Sequence, residues 1–352
     1  MSEKIEKTDP ESKTVKCVVW DLDNTMWDGI LLEDENVRLR QKAVSVIKEL
    51  DARGILHSIA SRNEYETALK KLKHFGIDEY FLYPQISWRS KALSIAAIAE
   101  TINIGLDTIA FIDDDPFERE EVKFSLPQVR CIDAAEIDRV LDMPEMMPRF
   151  VTDDSKIRRH LYLADQQRNR VEKEYEGPKE NFLASLGMEL TFFTPLEEDM
   201  KRAEELTVRT HQLNATGYTY SYDELNAFRQ SDGYRLIMAK LQDRFGTYGN
   251  IGLALVETLP EVWTIKLLLM SCRVMSRGVG TIMMSHIQKR AQDEKVRLLA
   301  EFVPTDRNRM MNITYRLAGF QESGQVGDVE ILENDLTNIQ PFPKYVKVII
   351  DE

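Results

Sequence analysis

The 352-residue chain is poor in cysteine and histidine and has few long apolar runs. Its three cysteines, Cys17, Cys131 and Cys272, stand far apart, with no CxxC pair and no spacing suited to zinc. That pattern argues against a disulfide framework and for a reducing compartment. No stretch approaches the ~20 apolar residues that a membrane span requires. The opening MSEKIEKTDPESK is polar and lacks the apolar core of a signal peptide. A cytoplasmic protein with no membrane partner is expected. Positive charge is also in deficit: 46 Lys and Arg against 59 Asp and Glu give a formal charge of −13. This speaks against nucleic acid as the main partner, though it leaves room for a local basic groove that takes a phosphorylated metabolite. Of the five histidines, His211 in RTHQLNATG is the one whose surroundings suggest a site.

What is present is ordinary for a folded protein, with 43% apolar and 30% charged residues. The length exceeds that of a usual single core, so two domains are expected. The pattern suggests a polar tail over 1–13, an α/β domain over 14–150, a helical linker over 151–186 and a second α/β domain over 187–352. In the first half VKCVVW reads as a strand buried on both faces, and RQKAVSVIKELDARG as a helix closed by Gly54. ILHSIA, YFLYPQI, TIAFI and VRCI read as further strands, separated by the helical stretches EYETALKKLKHFG and SKALSIAAIAETI. Such alternation implies a parallel sheet, whose ligands bind beyond the carboxyl ends of the strands.

The polar residues fall at those ends. Asp21 and Asp23 follow the first strand, and Ser61 and Asn63 follow the second. Lys91 opens a helix, and Asp113 and Asp114 follow the fourth strand. Asp21 can accept a phosphoryl group as a carboxylate nucleophile, and Asp23 can protonate the leaving oxygen and then deprotonate water. Attack of an anion on a phosphate calls for Mg²⁺, held by Asp21, by Asp113 or Asp114 and by the Asp23 carbonyl. Ser61 and Lys91 supply a hydrogen bond and a fixed positive charge to the phosphoryl oxygens. With DLDNT at 21–25, Ser61, Lys91 and the acidic pair 113–114 in this order, residues 14–145 resemble the haloacid dehalogenase superfamily. Members of that superfamily that act on small metabolites usually carry a cap domain. Here residues 24–60 and 62–90 each hold little more than one helix and one strand, so a capless site is expected. Such a site is open to a large substrate or roofed by the second half of the chain.

In the second half MELTFFTP reads as a strand, followed by helices, a three-strand meander over residues 234–272, the helix of GVGTIMMSHIQKRAQDE, and a strand–helix–strand close. This order resembles the GNAT acyltransferase fold. The stretch SRGVGTIMM, with Gly278 and Gly280, is similar to the loop of that fold where backbone N–H groups and a helix N-terminus hold a pyrophosphate. Through VVWDLDNTMWDG, SWRSKALSI, FIDDDPFEREEV, RTHQLNATG, DRFGTYGNIG, SCRVMSRGVG and PTDRNRMM the whole resembles the FkbH-like proteins of polyketide biosynthesis. It departs from them at Asp28-Gly29, where they have Gly-Gly.

That resemblance implies a glyceryltransferase/phosphatase. Such an enzyme takes the glyceryl unit of 1,3-bisphosphoglycerate, removes phosphate and loads glycerate as a thioester onto an acyl carrier protein. No Asp-Ser-Leu attachment sequence occurs here, so the carrier is expected as a separate chain. Cys272 is the expected thioester-bearing residue, with Arg273 and Arg277 supplying positive charge that favours the thiolate. His211, Asn214, Arg273, Arg277, Gly278 and Gly280 form the expected acyl or pantetheine pocket. Two other readings stand beside this one. One is a plain magnesium-dependent phosphatase whose second half only recognises substrate, and the other gives that second half coenzyme A-dependent acyl transfer or a non-enzymatic binding role.

Overall fold

The computed structural model describes residues 14–34 and 36–352; the tail expected over 1–13 lies outside them. The chain divides into two compact units between Leu163 and Ala164. The first unit contains β1 (Cys17–Trp20), β2 (Trp27–Asp28), β3 (Arg38–Leu39), α1 (Gln41–Ala52), β4 (Leu56–Ser61), α2 (Tyr65–Phe75), β5 (Gln85–Ile86), α3 (Lys91–Ile102), β6 (Ile109–Asp113), α4 (Pro116–Ser125) and β7 (Arg130–Asp133). Five strands form a parallel sheet in the order β5-β4-β1-β6-β7. β1 lies at its centre, which is why four apolar residues run in succession: Val18 and Trp20 enter one apolar layer with Ile47 and Leu50 of α1, and Cys17 and Val19 enter the opposite layer with Ile95 of α3 and Val122 of α4. His57, buried in β4, accepts from the Trp20 indole at 3.1 Å and faces the Ile47 carbonyl at 3.0 Å.

One stretch differs from the sequence expectation. The strand expected over YFLYPQI shrinks to Gln85–Ile86, because Asp78–Tyr80 closes a 3₁₀ turn and Tyr83 takes a left-handed φ of 50° just before Pro84. The stretch AAEIDRVL coils as 3₁₀ turns over Ala134–Asp142. Residues 24–60 form the β2–β3 hairpin, α1 and most of β4, and residues 62–90 form α2, the 3₁₀ turn and β5. Among the described residues neither interval holds an inserted domain.

Three helices, α5 (Asp153–Lys156), α6 (Arg158–Glu174) and α7 (Lys179–Ser185), occupy the expected linker, and the boundary between the units falls within α6. There follow β8 (Met188–Phe193), α8 (Met200–Arg209), α9 (Tyr222–Arg229), β9 (Tyr234–Asp243), β10 (Gly246–Thr258), β11 (Val262–Met270), α10 (Val279–Asp293), β12 (Arg297–Phe302), α11 (Arg309–Leu317), β13 (Gln321–Val326), β14 (Val329–Asn334) and β15 (Val346–Asp351). These strands build one mixed sheet in the order β13-β14-β12-β11-β10-β9-β8-β15. β9, β10 and β11 are the antiparallel meander, whereas β11 pairs β12 and β8 pairs β15 in parallel. Both units are therefore α/β: a parallel sheet with helices on both faces, then a mixed sheet with helices. Among the described residues no helix is long and apolar enough to cross a membrane.

In the second unit Arg168 of α6 is almost fully buried and grips Asp243 of β9 through two N–H groups, at 2.8 and 3.0 Å. It also donates to Asp165 at 2.7 Å, and its guanidinium lies 3.6 Å from the centre of the Tyr248 ring. Beyond Ile265 and Ala300 β11 and β12 no longer pair. Residues 213–215 bridge the gap: Met270 N–H donates to Leu213 O at 2.9 Å, Ala215 N–H to Leu268 O at 3.0 Å, and Val303 N–H to Ala215 O at 3.1 Å. The Asn308 amide donates to the carbonyls of Asn214, Ala215 and Val303 and fixes this bridge.

Candidate active site

Each side chain in the first unit reaches its position for a local reason. β1 ends at Trp20, so Asp21 leaves the sheet at its carboxyl edge with its side chain still buried. Asn24 turns the chain with φ of 52°, and its side-chain oxygen accepts from the N–H of Gly29, itself at φ of 106°. That turn brings Trp27 back, so that its indole N–H donates to Asp23 Oδ1 at 2.8 Å. The Leu31 N–H donates to the same oxygen at 3.0 Å, and Asn63, in the loop after β4, donates to Asp23 Oδ2 at 3.0 Å. Asp28, the departure noted in the sequence, pairs with Arg38 at 2.9 Å and Arg40 at 2.7 Å and so staples the β2–β3 hairpin.

Ser90 caps α3 by accepting from the Leu93 N–H, which sets Lys91 at its first residue. The Lys91 ammonium, nearly fully buried, lies 2.8 Å from Asp21 Oδ1 and 2.5 Å from Asp113 Oδ2. Burial pushes the Asp21 carboxyl up to about 7 against the pull of Lys91, and nearby Asp113 adds to the rise. Burial likewise raises Asp113 against Lys91, while the two carboxylates hold Lys91 above its ordinary range in spite of its burial. Ser61 is the last residue of β4 and is buried at the same edge of the sheet. In the acidic run 113–115 the three members divide the labour. Asp113 closes β6, Asp114 meets Thr25, and Asp115 caps α4 by accepting from the Phe117 N–H at 2.8 Å. One oxygen each from Asp21, Asp113 and Asp114 lie within 4.8 Å of one another. Three clustered carboxylate oxygens suit a hard divalent cation such as Mg²⁺. The Asp23 side chain is outside this set, since N–H donors engage both of its oxygens.

Some participants were not legible beforehand. Thr25 exchanges hydrogen bonds with Asp114, donating to Oδ1 at 3.3 Å and accepting from the backbone N–H at 3.1 Å. The indole of Trp27 and the buried Glu118 of α4 are the others. Burial lifts the Glu118 carboxyl above its usual range, against Lys91 and then Arg62. Thr25 and Trp27 belong to the quoted motif, but their contacts reach across turns and strands that a pattern does not display.

The second unit is arranged differently. Cys272 is exposed and opens a 3₁₀ turn just beyond β11. His211 is exposed, and its loop runs beside the end of β11 through the Leu213–Met270 bond. Asn214 is buried and spends its side chain on its own loop: Oδ1 accepts from Thr216 and Gly217, and Nδ2 donates to Tyr218 O. Of the two arginines expected to favour the Cys272 thiolate, Arg277 pairs with an acid of α6. The Arg277 guanidinium is buried 3.0 Å from Glu172 of α6, and Arg273 and Arg277 both act on Asp165. Gly278, at φ of 78°, caps α10, and a Cβ there would collide with the Tyr345 hydroxyl. A Cβ on Gly280 would meet Met270 Sδ at 2.9 Å. These glycines thus allow α10 to pack closely. The structure sets the seven side chains of the first unit at the carboxyl edge of its sheet, whereas Asn214, Arg277 and the two glycines also serve the packing of the second.

No protein-family model and no curated protein matches the chain. Among solved structures, it is similar to the N-terminal part of a Bacteroides fragilis protein containing a phosphatase domain, in complex with Mg. Identity there is 29% and the TM-score 0.34, over 39% of this chain and 41% of that one, so the likeness spans less than half of either. It is also similar to the ribosomal-protein-S18-alanine N-acetyltransferase of Escherichia coli, at 13% identity and TM-score 0.34 over 44% of this chain and 97% of that one. The PaiA N-acetyltransferase of Thermoplasma acidophilum, in complex with coenzyme A, matches at 14% identity and TM-score 0.34 over 41% and 98%.

Proposed function

We propose that the chain is a magnesium-dependent phosphatase joined to an acyltransferase. It takes the glyceryl unit of 1,3-bisphosphoglycerate, removes phosphate and loads glycerate as a thioester onto a separate acyl carrier protein. The observation that carries the phosphatase half is the Lys91 ammonium set between Asp21 and Asp113, beside an Asp23 pinned by three N–H donors. Asp21 attacks phosphorus and becomes an aspartyl-phosphate, while Asp23 gives its proton to the departing oxygen. Asp23 then takes a proton from water, which attacks phosphorus and frees Asp21. Lys91 stays fixed throughout, balancing charge on the phosphoryl oxygens. Asp21, Asp113 and Asp114 would hold Mg²⁺, which when bound offsets the repulsion between carboxylate and phosphate.

For acyl transfer, the Cys272 thiolate attacks the carbonyl carbon of the acyl phosphate. The carbon–oxygen bond to phosphate breaks, phosphate leaves with the electron pair, and the thioester passes to the carrier's phosphopantetheine thiol. The exposure of Cys272 supports access by a carrier. The commitment of Asn214 and Arg277 to the fold supports the second reading, a phosphatase whose C-terminal unit recognises substrate. Intact-mass spectrometry after incubation with 1,3-bisphosphoglycerate and carrier proteins separates the two readings. The first predicts a glyceryl or phosphoglyceryl adduct on the peptide containing Cys272 and no carrier loading by Cys272→Ala. Normal loading by that variant would remove Cys272 from the reaction.

A further inference from the structure

We infer that Glu118 is a specificity-determining acceptor, which takes a hydrogen bond from a hydroxyl group that the substrate carries next to its phosphate. The inference rests on the phosphatase reading above. Glu118 is the third residue of α4, where a glutamate ordinarily folds back onto the N–H of its own helix cap. That N–H, on Asp115, already donates to Asp113 Oδ1 at 2.8 Å. Glu118 turns instead to Arg62, with its Oε1 at 3.2 Å from the guanidinium. Arg62 stands between the site residues Ser61 and Asn63, and its other arm reaches Glu121 at 3.3 Å.

The second oxygen, Oε2, has no partner although Glu118 is only 7% exposed. An ionised carboxylate oxygen withdrawn from water and left without a donor is costly, so a donor brought by a ligand is strongly favoured there. Glu118 lies in the first turn of the helix that follows Asp113, and its partner Arg62 follows Ser61, so the pair borders the carboxyl edge that holds the phosphoryl site; Lys91 and Asp113 also act electrostatically on this carboxylate. Lys91 spends two of its three protons on Asp21 and Asp113, which leaves the third for a phosphoryl oxygen of a bound ligand. A donor that reaches this acceptor would come from the part of the substrate just beyond the phosphorus. Hydroxylated phosphate esters satisfy it, whereas an ester lacking the hydroxyl leaves it unpaired, and sites of this kind reject such analogues. Arg62 is a positioning residue, which holds Glu118 by charge.

The test compares sn-glycerol 3-phosphate with n-propyl phosphate, titrated with Mg²⁺ into full-length Asp21→Asn protein by calorimetry. The glycerol ester is expected to bind about 10- to 100-fold more tightly, the range of a hydrogen bond to a charged group. Adding Glu118→Ala brings the ratio close to one, and Glu118→Gln, which keeps an uncharged acceptor, gives an intermediate ratio. A merely structural role for Glu118 would weaken both ligands together and leave the ratio unmoved, which overturns the inference. Equal affinities before any change at Glu118 overturn it as well. Turnover of p-nitrophenyl phosphate by the wild type is read separately. Absence of turnover with the affinity ratio intact would remove the phosphatase reading and leave the role of Glu118 standing.

Discussion

Lys91 shows how one residue serves both stability and chemistry. Its ammonium neutralises Asp21 and Asp113, and all three side chains are nearly fully buried. Lys91→Ala would leave two carboxylates facing each other without a cation, and removing one partner of a buried pair costs about 3–5 kcal/mol. Metal-free Lys91→Ala should therefore unfold at clearly lower urea than the wild type. With Mg²⁺ restored, phosphate release should still be slower by about 10²–10³, the usual effect of losing one preorganised donor. A wild-type urea midpoint would show that the buried pair is not formed in solution. Asp21 gives a second reading at this scale. Its carboxyl is raised from 3.8 to about 7 by burial, so the folded protein keeps a proton that the unfolded chain has released. The stability due to this group is fully present below pH 3.8 and is lost as pH rises through about 7. In EDTA, Asp21→Asn should flatten that segment of the stability curve; an unchanged pH dependence would contradict the assigned burial.

Among elements, the β2–β3 hairpin and α6 carry the most exposed claims. Gly29 sits at φ of 106°, and a Cβ there would press on Val37 Cγ1 at 3.3 Å. Gly29→Ala should cost about 1–3 kcal/mol of strain and loosen the turn that aims Trp27 at Asp23. Thermal melts and phosphate release should fall together, and an undisturbed rate would detach the hairpin from catalysis. Arg168→Met breaks the buried pair with Asp243 and should cost about 3–5 kcal/mol in unfolding of the second unit; a loss under 1 kcal/mol would mark the pair as dispensable. The alternating strands and helices of the first unit were legible because β1 is continuously apolar, β4 carries Leu56, Ile59 and Ala60, and α1–α3 repeat at helical spacing. β2 and β3 were not, since two-residue strands have no periodicity, and the strand expected around β5 is longer than the one formed because Tyr83-Pro84 cuts it short. The site's carboxylates and Lys91 were legible from their places at strand and helix ends. Thr25–Asp114 and Arg62–Glu118 were hidden because they join residues far apart in sequence. At Gly278 and Gly280 the pattern of a phosphate loop coincides with close packing, since a Cβ there would meet Tyr345 and Met270.

At the scale of the whole molecule, two units with separate apolar cores share one chain, and the phosphoryl chemistry is assigned entirely to the first. The acidic balance of −13 fits a site that meets its anionic substrate through a buried lysine and a divalent cation rather than a basic surface. The central claim is that Asp21 becomes phosphorylated. The most direct measurement mixes protein, Mg²⁺ and a phosphate ester, quenches within a turnover, reduces with borohydride and maps the product by mass spectrometry. The account predicts reduction of the aspartyl-phosphate to homoserine at position 21 in the wild type, none without Mg²⁺, and none in Asp21→Asn, which also ceases to release phosphate. Phosphate release by Asp21→Asn at the wild-type rate, with position 21 unmodified in the wild type, would contradict it.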